Sequence, residues 1–140
     1  MHKENLLKLA EYLDKIPTDY KHFGMECFMV NDEGCSIEVD EVTKASYQHC
    51  GTAACAVGHA PLVKGLEIRP TDCDWNDYCE RIFAIDPFSS KFEWMFGGSW
   101  HHSDDTPAGA AKRIRHLIAK GVPAGFTRPD PCWIEVYANA

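Results

Sequence analysis

Small and reactive residues are concentrated in the segment 50–59, whose sequence is CGTAACAVGH. If residues 52–59 form a helix, Thr52, Cys55 and His59 lie on one face of it, at spacings of three and four residues. Small residues around them would let a ligand or another helix come close to the backbone. The segment is therefore the first place in the chain where we look for chemistry.

Two kinds of chemistry suit the start of such a helix. Its free N–H groups and its dipole attract an anion, with Gly51 allowing close approach and Thr52 donating a hydroxyl group. The same position lowers the pKa of a thiol, so Cys50 or Cys55, paired with a neighbouring histidine, could act as a nucleophile. The first possibility predicts a binding protein and the second a hydrolase or transferase.

Two further interpretations of this segment stay open. Cys55 and His59, with His101 or His102 and a carboxylate, have the side chains of a metal site. Alternatively the segment is a tightly packed core helix, because free cysteine behaves as a small hydrophobic residue. The packing interpretation assigns no function to the segment.

Aromatic residues are dense between positions 88 and 100, where five of thirteen residues are Phe or Trp. Trp94 and Trp100 are candidates for stacking on a ligand ring, although such clusters more often belong to a core. Arg113, on a predicted helix, has the planar fork that binds phosphate in a bidentate manner. The predicted ligand-binding set is Cys50, Gly51, Thr52, Cys55, His59, Trp94, Trp100 and Arg113.

Composition excludes several classes of function. The 140-residue chain has 21 acidic and 14 basic residues, a formal net charge of −7, which disfavours non-specific binding to nucleic acid. No apolar stretch is long enough for a membrane span. Seven cysteines, an odd number, with no signal peptide before them predict reduced thiols in the cytoplasm. Phosphate-loop, dinucleotide-binding, zinc-protease and serine-hydrolase motifs are lacking, so no cofactor is predicted and a non-enzymatic role is favoured.

Local patterns predict three helices, over residues 3–16, 71–84 and 107–120. The last is the clearest, because Thr106 is a good N-cap, Pro107 suits the first helical position and Gly121 is a stop signal. Thr71 and Asp74 suggest a capping box at the start of the second helix.

Alternating residues predict strands. A β-hairpin is expected between residues 23–30 and 36–40, with turn residues at 31–34. Residues 132–137 alternate in the same way and are predicted to be a strand that pairs with the hairpin. Together these elements predict an α+β fold, a mostly helical single domain over residues 1–140 with a β-hairpin and a small antiparallel sheet.

Three stretches of the chain resemble a family of small uncharacterised cytosolic proteins from bacteria and their phages. These are His49–Pro61 with its CGTxxCAxGH motif, Phe92–Trp100, and the stretch Asp105–Pro123, whose DxTPxxAAxRI motif begins one residue earlier at Asp104. The resemblance extends over most of residues 3–123. It implies a bacterial or phage origin and no established reaction, so no catalytic residue is assigned from it.

The leading expectation is a binding protein for a small anionic or nucleotide-like molecule. In a phage, such a protein would serve counter-defence by sequestering a nucleotide signal. One alternative is a hydrolase or transferase that depends on cysteine and histidine. Another is a protein–protein adaptor or inhibitor whose acidic surface binds a basic partner.

Overall fold

The computed structural model describes residues 1–48 and 52–138. Over these residues the chain is mostly helical with one small antiparallel sheet, which confirms the predicted fold class. No helix there is of sufficient length and hydrophobicity to cross a bilayer. The α-helices are α1 (Lys3–Asp14), α2 (Ala56–His59), α3 (Trp75–Phe83), α4 (Ser90–Phe96), α5 (Pro107–Lys120) and α6 (Ile134–Ala138).

The centre of the fold is the packing of α1 against α5. Helix α5 has the predicted bounds, because the Thr106 hydroxyl accepts the Gly109 N–H at 3.0 Å and Gly121 ends the helix at φ 76°. Apolar residues at helical spacing on both helices are buried. They are Leu6, Leu9, Ala10 and Leu13 on α1 and Ala110, Ala111, Ile114 and Leu117 on α5.

Helix α3 begins four residues later than predicted. Its N-cap is Asp74, whose carboxylate accepts the Asp77 N–H at 2.8 Å. Thr71 therefore lies outside the helix, and the predicted capping box does not form. The helix ends at Phe83, and the C-cap residue Ala84 adopts the left-handed conformation at φ 51°.

The sheet is smaller than predicted and has a different partner strand. Strand β1 (Met29–Val30) pairs in an antiparallel manner with β2 (Ala53–Ala54). The predicted turn is present, since Ile37 N–H donates to Met29 C=O at 2.9 Å, but the 36–40 side of the hairpin contributes only a single bridge. A 3-10 turn at Val39–Glu41, closed by a capping box from Glu38, takes that segment away from the sheet.

The predicted C-terminal strand is wrong. Pro131–Trp133 form a 3-10 turn that leads into α6. Trp133, Ile134 and Tyr137 face the protein at helical spacing, and Tyr137 is buried against α5. Six alternating residues are compatible with a strand or with a helix. Here the helix forms because it packs Tyr137 against α5.

Candidate functional site

The helix predicted over residues 52–59 is much shorter in the structure. Helix α2 begins only after Cys55, which is its N-cap in an extended conformation, and Thr52 precedes β2. Thr52, Cys55 and His59 therefore do not share a helix face, and that prediction is wrong. Cys50 and Gly51 lie outside the described residues.

Small residues in this segment serve close backbone packing. A Cβ atom added at Gly58 would lie 1.8 Å from the Phe28 carbonyl oxygen and 2.9 Å from the Ala54 Cβ. The Cys55 N–H donates to the Cys27 and Phe28 carbonyls at 3.2 and 3.1 Å, which holds α2 against that backbone. The packing interpretation therefore accounts for the small residues from 53 to 58.

His59 is fully buried among aromatic rings and has no exposed surface. Its Nε2 lies 2.9 Å from the His22 carbonyl oxygen, so Nε2 carries the proton and donates, while Nδ1 has no partner in the described part of the chain. Burial lowers the pKa of His59 to about 4. The rings within 5.6 to 6.3 Å of its centroid are those of Tyr12, Tyr20, Phe23 and Tyr47.

This depressed pKa predicts a loss of stability in mild acid. Unfolding raises the pKa of His59 from about 4 towards about 6.5, so the unfolded state binds the extra proton as the pH falls between these values. From about pH 7 to about pH 4.5 we expect the free energy of unfolding to fall by about 2–3 kcal/mol through His59 alone. Urea denaturation of the wild type and of His59→Gln across this pH range measures the contribution of His59. The carboxylates that titrate in the same range are present in both proteins, so their effect on the free energy of unfolding cancels in the comparison. Parallel pH profiles for the two proteins would contradict it.

Cys55 does not have the environment of a nucleophile. The residue is 2% exposed, and burial raises the pKa of its thiol to about 11. The thiolate is the reactive form of cysteine, and it is scarce near neutral pH when the pKa is this high. The structure therefore does not support a catalytic pair of Cys55 and His59.

The metal interpretation also lacks its ligands. In the residues that the structure describes, no three histidine, cysteine or acidic side chains converge to hold an ion. His101 instead directs Nδ1 to Asp105 Oδ2 at 3.0 Å and Nε2 towards Glu26 at 3.8 Å.

Trp94 and Trp100 are core residues, with no exposed surface for stacking on a ligand. The Trp94 indole N–H donates to the Arg113 carbonyl at 3.1 Å, and the Trp100 indole N–H donates to the Trp94 carbonyl at 2.9 Å. Both indole donors are thus used inside the protein. The prediction that these rings contact a ligand is wrong for this conformation.

Arg113 is also fully buried and does not reach a surface anion. Its guanidinium carbon lies 4.2 Å from the Trp100 ring centroid, and Nη1 lies 3.5 Å from Asp104 Oδ2 and 3.3 Å from the Tyr137 hydroxyl. The Tyr137 hydroxyl donates to the same Asp104 oxygen at 2.6 Å. Arg113 therefore ties α5 to α6 instead of binding a ligand.

Two predicted residues line surface depressions: Cys55 lies in the wall of one of about 110 Å³, where it is almost fully covered, and Thr52 lines another. Thr52 contributes to a pocket of about 380 Å³ with Asn31, Thr43 and Ser46. Thr43 also lines a neighbouring pocket of about 440 Å³, which sequence analysis missed. We call this neighbouring cavity the lysine pocket, and its walls are Val42, Thr43, Lys44, Tyr47, Pro61, Leu62, Val63, Lys64, Glu67 and Ile68.

The lysine pocket lies beside the small-residue segment. The hydroxyl group of Tyr47, in the 3-10 turn Lys44–Tyr47, donates to the Gly58 carbonyl of α2 at 2.8 Å. The 3-10 turn Ala60–Leu62 follows α2 directly and contributes Pro61 and Leu62 to the lining. The packing of the small-residue segment thus fixes the positions of Tyr47 and of the turn Ala60–Leu62 in the lining of the pocket.

Two lysines give this pocket its electrostatic character. Lys44 and Lys64 are exposed, and neither makes an ion pair in the part of the chain the structure describes. Glu67 is the acidic residue of the lining; its carboxylate accepts the Gly65 N–H at 3.0 Å, which lowers its pKa. The pocket therefore offers two cations beside an apolar wall.

No spacing in the sequence marks this site, because its two lysines are twenty residues apart on different turns. No family model matches the chain, and neither does any curated protein or any solved structure.

Proposed function

We propose that this protein binds a small molecule with an anionic group on an apolar or aromatic body, in the lysine pocket. The observation that supports this proposal most is the presence of Lys44 and Lys64, without ion-pair partners in the described residues, beside an apolar cavity. The chain as a whole has a net charge of −7, whereas the lining of this pocket, with two lysines and the single carboxylate of Glu67, has a formal charge of +1.

The size and lining of the pocket suit a compact organic anion. Its volume of about 440 Å³ lies within the range typical of small-molecule sites, which combine apolar walls with a few polar groups. Leu62, Val63 and Ile68 supply apolar surface, and Thr43 adds a hydroxyl group besides that of Tyr47, which donates to the Gly58 carbonyl. Nucleoside monophosphates belong to this ligand class, and sequestration of a nucleotide signal would need only binding of this kind.

The cysteine-dependent alternative is the weaker proposal. The thiol of Cys55 is buried with a raised pKa, and the nearby His59 uses its Nε2 proton for a backbone carbonyl. Binding in the lysine pocket requires neither group to react.

A thermal-shift panel tests the proposal. The panel contains nucleoside monophosphates, medium-chain carboxylates and inorganic phosphate. We expect a member with both an anionic group and a ring or chain to raise Tm by several degrees, since a ligand at a hundredfold excess over Kd adds about 2.7 kcal/mol. Inorganic phosphate, which has no apolar body, is expected to raise Tm much less.

A charge-matched pair of variants then locates the site. Lys44→Gln with Lys64→Gln should weaken binding at least about tenfold, because a hydrogen bond to a charged group contributes about 1.5–3 kcal/mol. Lys15→Gln with Lys91→Gln removes two exposed lysines elsewhere and should leave Kd unchanged. Equal losses in both double variants, or no shift with any member of the panel, would contradict the proposal.

A further inference from the structure

A second concave surface has the opposite charge. A groove of about 370 Å³ lies between the segment 26–29, the segment 36–38 and the start of α3. We call it the acidic groove and define it by Glu26, Phe28, Ile37, Glu38, Asp74 and Trp75. It shares no residue with the lysine pocket.

Aromatic surface forms part of the acidic groove. The rings of Phe28 and Trp75 are stacked, with centroids 5.8 Å apart and planes at 15°. The Trp75 indole N–H donates to the Ile37 carbonyl at 2.9 Å, so its one polar atom is already satisfied. The half-buried Phe28 therefore presents an aromatic surface backed by a second ring.

Carboxylates from three separate segments surround this surface. Glu26, Glu38 and Asp74 line the groove, and none of the described residues in its lining is a lysine or an arginine. Asp74 accepts the Asp77 N–H, Glu38 caps a 3-10 turn and Glu26 lies 3.8 Å from His101 Nε2. A carboxylate has about four acceptor positions, so each of the three can accept a further hydrogen bond. An aromatic face beside several carboxylates is suited to a cation.

The groove continues into a second depression across a shared wall. Residues 26–28 line both. The rest of the second depression, which has a volume of about 110 Å³, is formed by Met25, Cys55, Phe92, Phe96 and Gly98, none of which has a charged side chain. One basic side chain would occupy only the first of the two depressions. An extended peptide places alternate side chains on the same face, about 7 Å apart, which suits two adjacent depressions.

We propose that the acidic groove and its apolar neighbour bind an extended segment of a partner protein in which a basic residue and an apolar residue are two positions apart. Arginine is the preferred basic residue, because its planar guanidinium both stacks on aromatic rings and pairs with carboxylates. The net charge of −7 favours encounter with a basic partner.

An NMR titration with a capped peptide containing Arg-Gly-Leu in a Gly/Ser context tests this proposal. We expect a saturable change in the Trp75 indole N–H shift. Glu26→Gln, Glu38→Gln and Asp74→Asn together should raise Kd at least about tenfold, while the amide side chains keep the capping acceptors. A control with Glu11→Gln, Asp19→Asn and Glu135→Gln, all exposed and outside the groove, has the same net charge and should change Kd less than about twofold.

Three results would overturn the proposal. One is a Trp75 signal that does not respond to about 5 mM peptide, a concentration that would reveal even a millimolar Kd. Another is an equal loss of affinity in the two triple variants. The third is equal affinity for free arginine amide, which would make the groove a site for small cations. Because the Lys44 and Lys64 variants leave this groove intact, failure here is distinguishable from failure of the ligand proposal.

Discussion

Replacing Gly58 with alanine is expected to lower the free energy of unfolding by about 3 kcal/mol, the upper part of the range for overpacking a well-filled core. The added methyl group would lie 1.8 Å from the Phe28 carbonyl oxygen, which is a backbone atom and cannot rotate away. The Cys55 N–H holds that same carbonyl at 3.1 Å, so relief of the clash would break a hydrogen bond.

The expected change in the free energy of unfolding for Gly58→Ala is opposite in sign to the change that intrinsic helix propensity predicts. Alanine is favoured over glycine in an exposed helix by about 1 kcal/mol, so propensity alone would predict stabilisation at Gly58. Urea denaturation of Gly58→Ala beside Gly24→Ala separates the two effects. A Cβ at Gly24 would have its nearest neighbours at 3.9 Å, which is ordinary contact, so this control should differ little from wild type. Similar stability of both variants would show that α2 does not pack as described.

Replacing Arg113 with methionine should cost about 3–5 kcal/mol, the range for breaking a buried ion pair by removing one partner. The substitution leaves Asp104 without its cation and removes the stacking of the guanidinium over Trp100. The Tyr137 hydroxyl then remains as a donor to Asp104, which limits the loss but does not restore the charge balance.

Arg115→Met on the same helix is the matched control. Arg115 pairs with Asp14 at the surface, where its side chain is 34% exposed, and an ion pair of that kind contributes about 0–1 kcal/mol. Denaturation midpoints of both variants measure the difference. If Arg113 instead bound a surface anion, as its residue type predicts, Arg113→Met would unfold like the control and only ligand binding would be lost.

Helices α1, α3 and α5 were predictable because their signals are local, although α3 begins later than predicted. For α5, a capping hydroxyl, a proline at the first helical position and a glycine after the last act within a few residues of each end. The C-terminal segment has no such signal. Its alternating residues suit a strand or a helix equally, and burial of Tyr137 against α5 selects the helix.

The candidate site was less predictable, for a different reason. A run of small residues permits close approach, but the sequence does not show whether a ligand or another part of the protein occupies that space. The sequence by itself determined that residues 53–58 permit close contact and that Arg113 and the two tryptophans have strong binding chemistry. Tertiary structure alone decided that the Phe28 backbone occupies the space at Gly58 and that Arg113 lies against Trp100. It also brought Lys44 and Lys64 to one pocket, because contacts between residues distant in the chain depend on how whole elements pack.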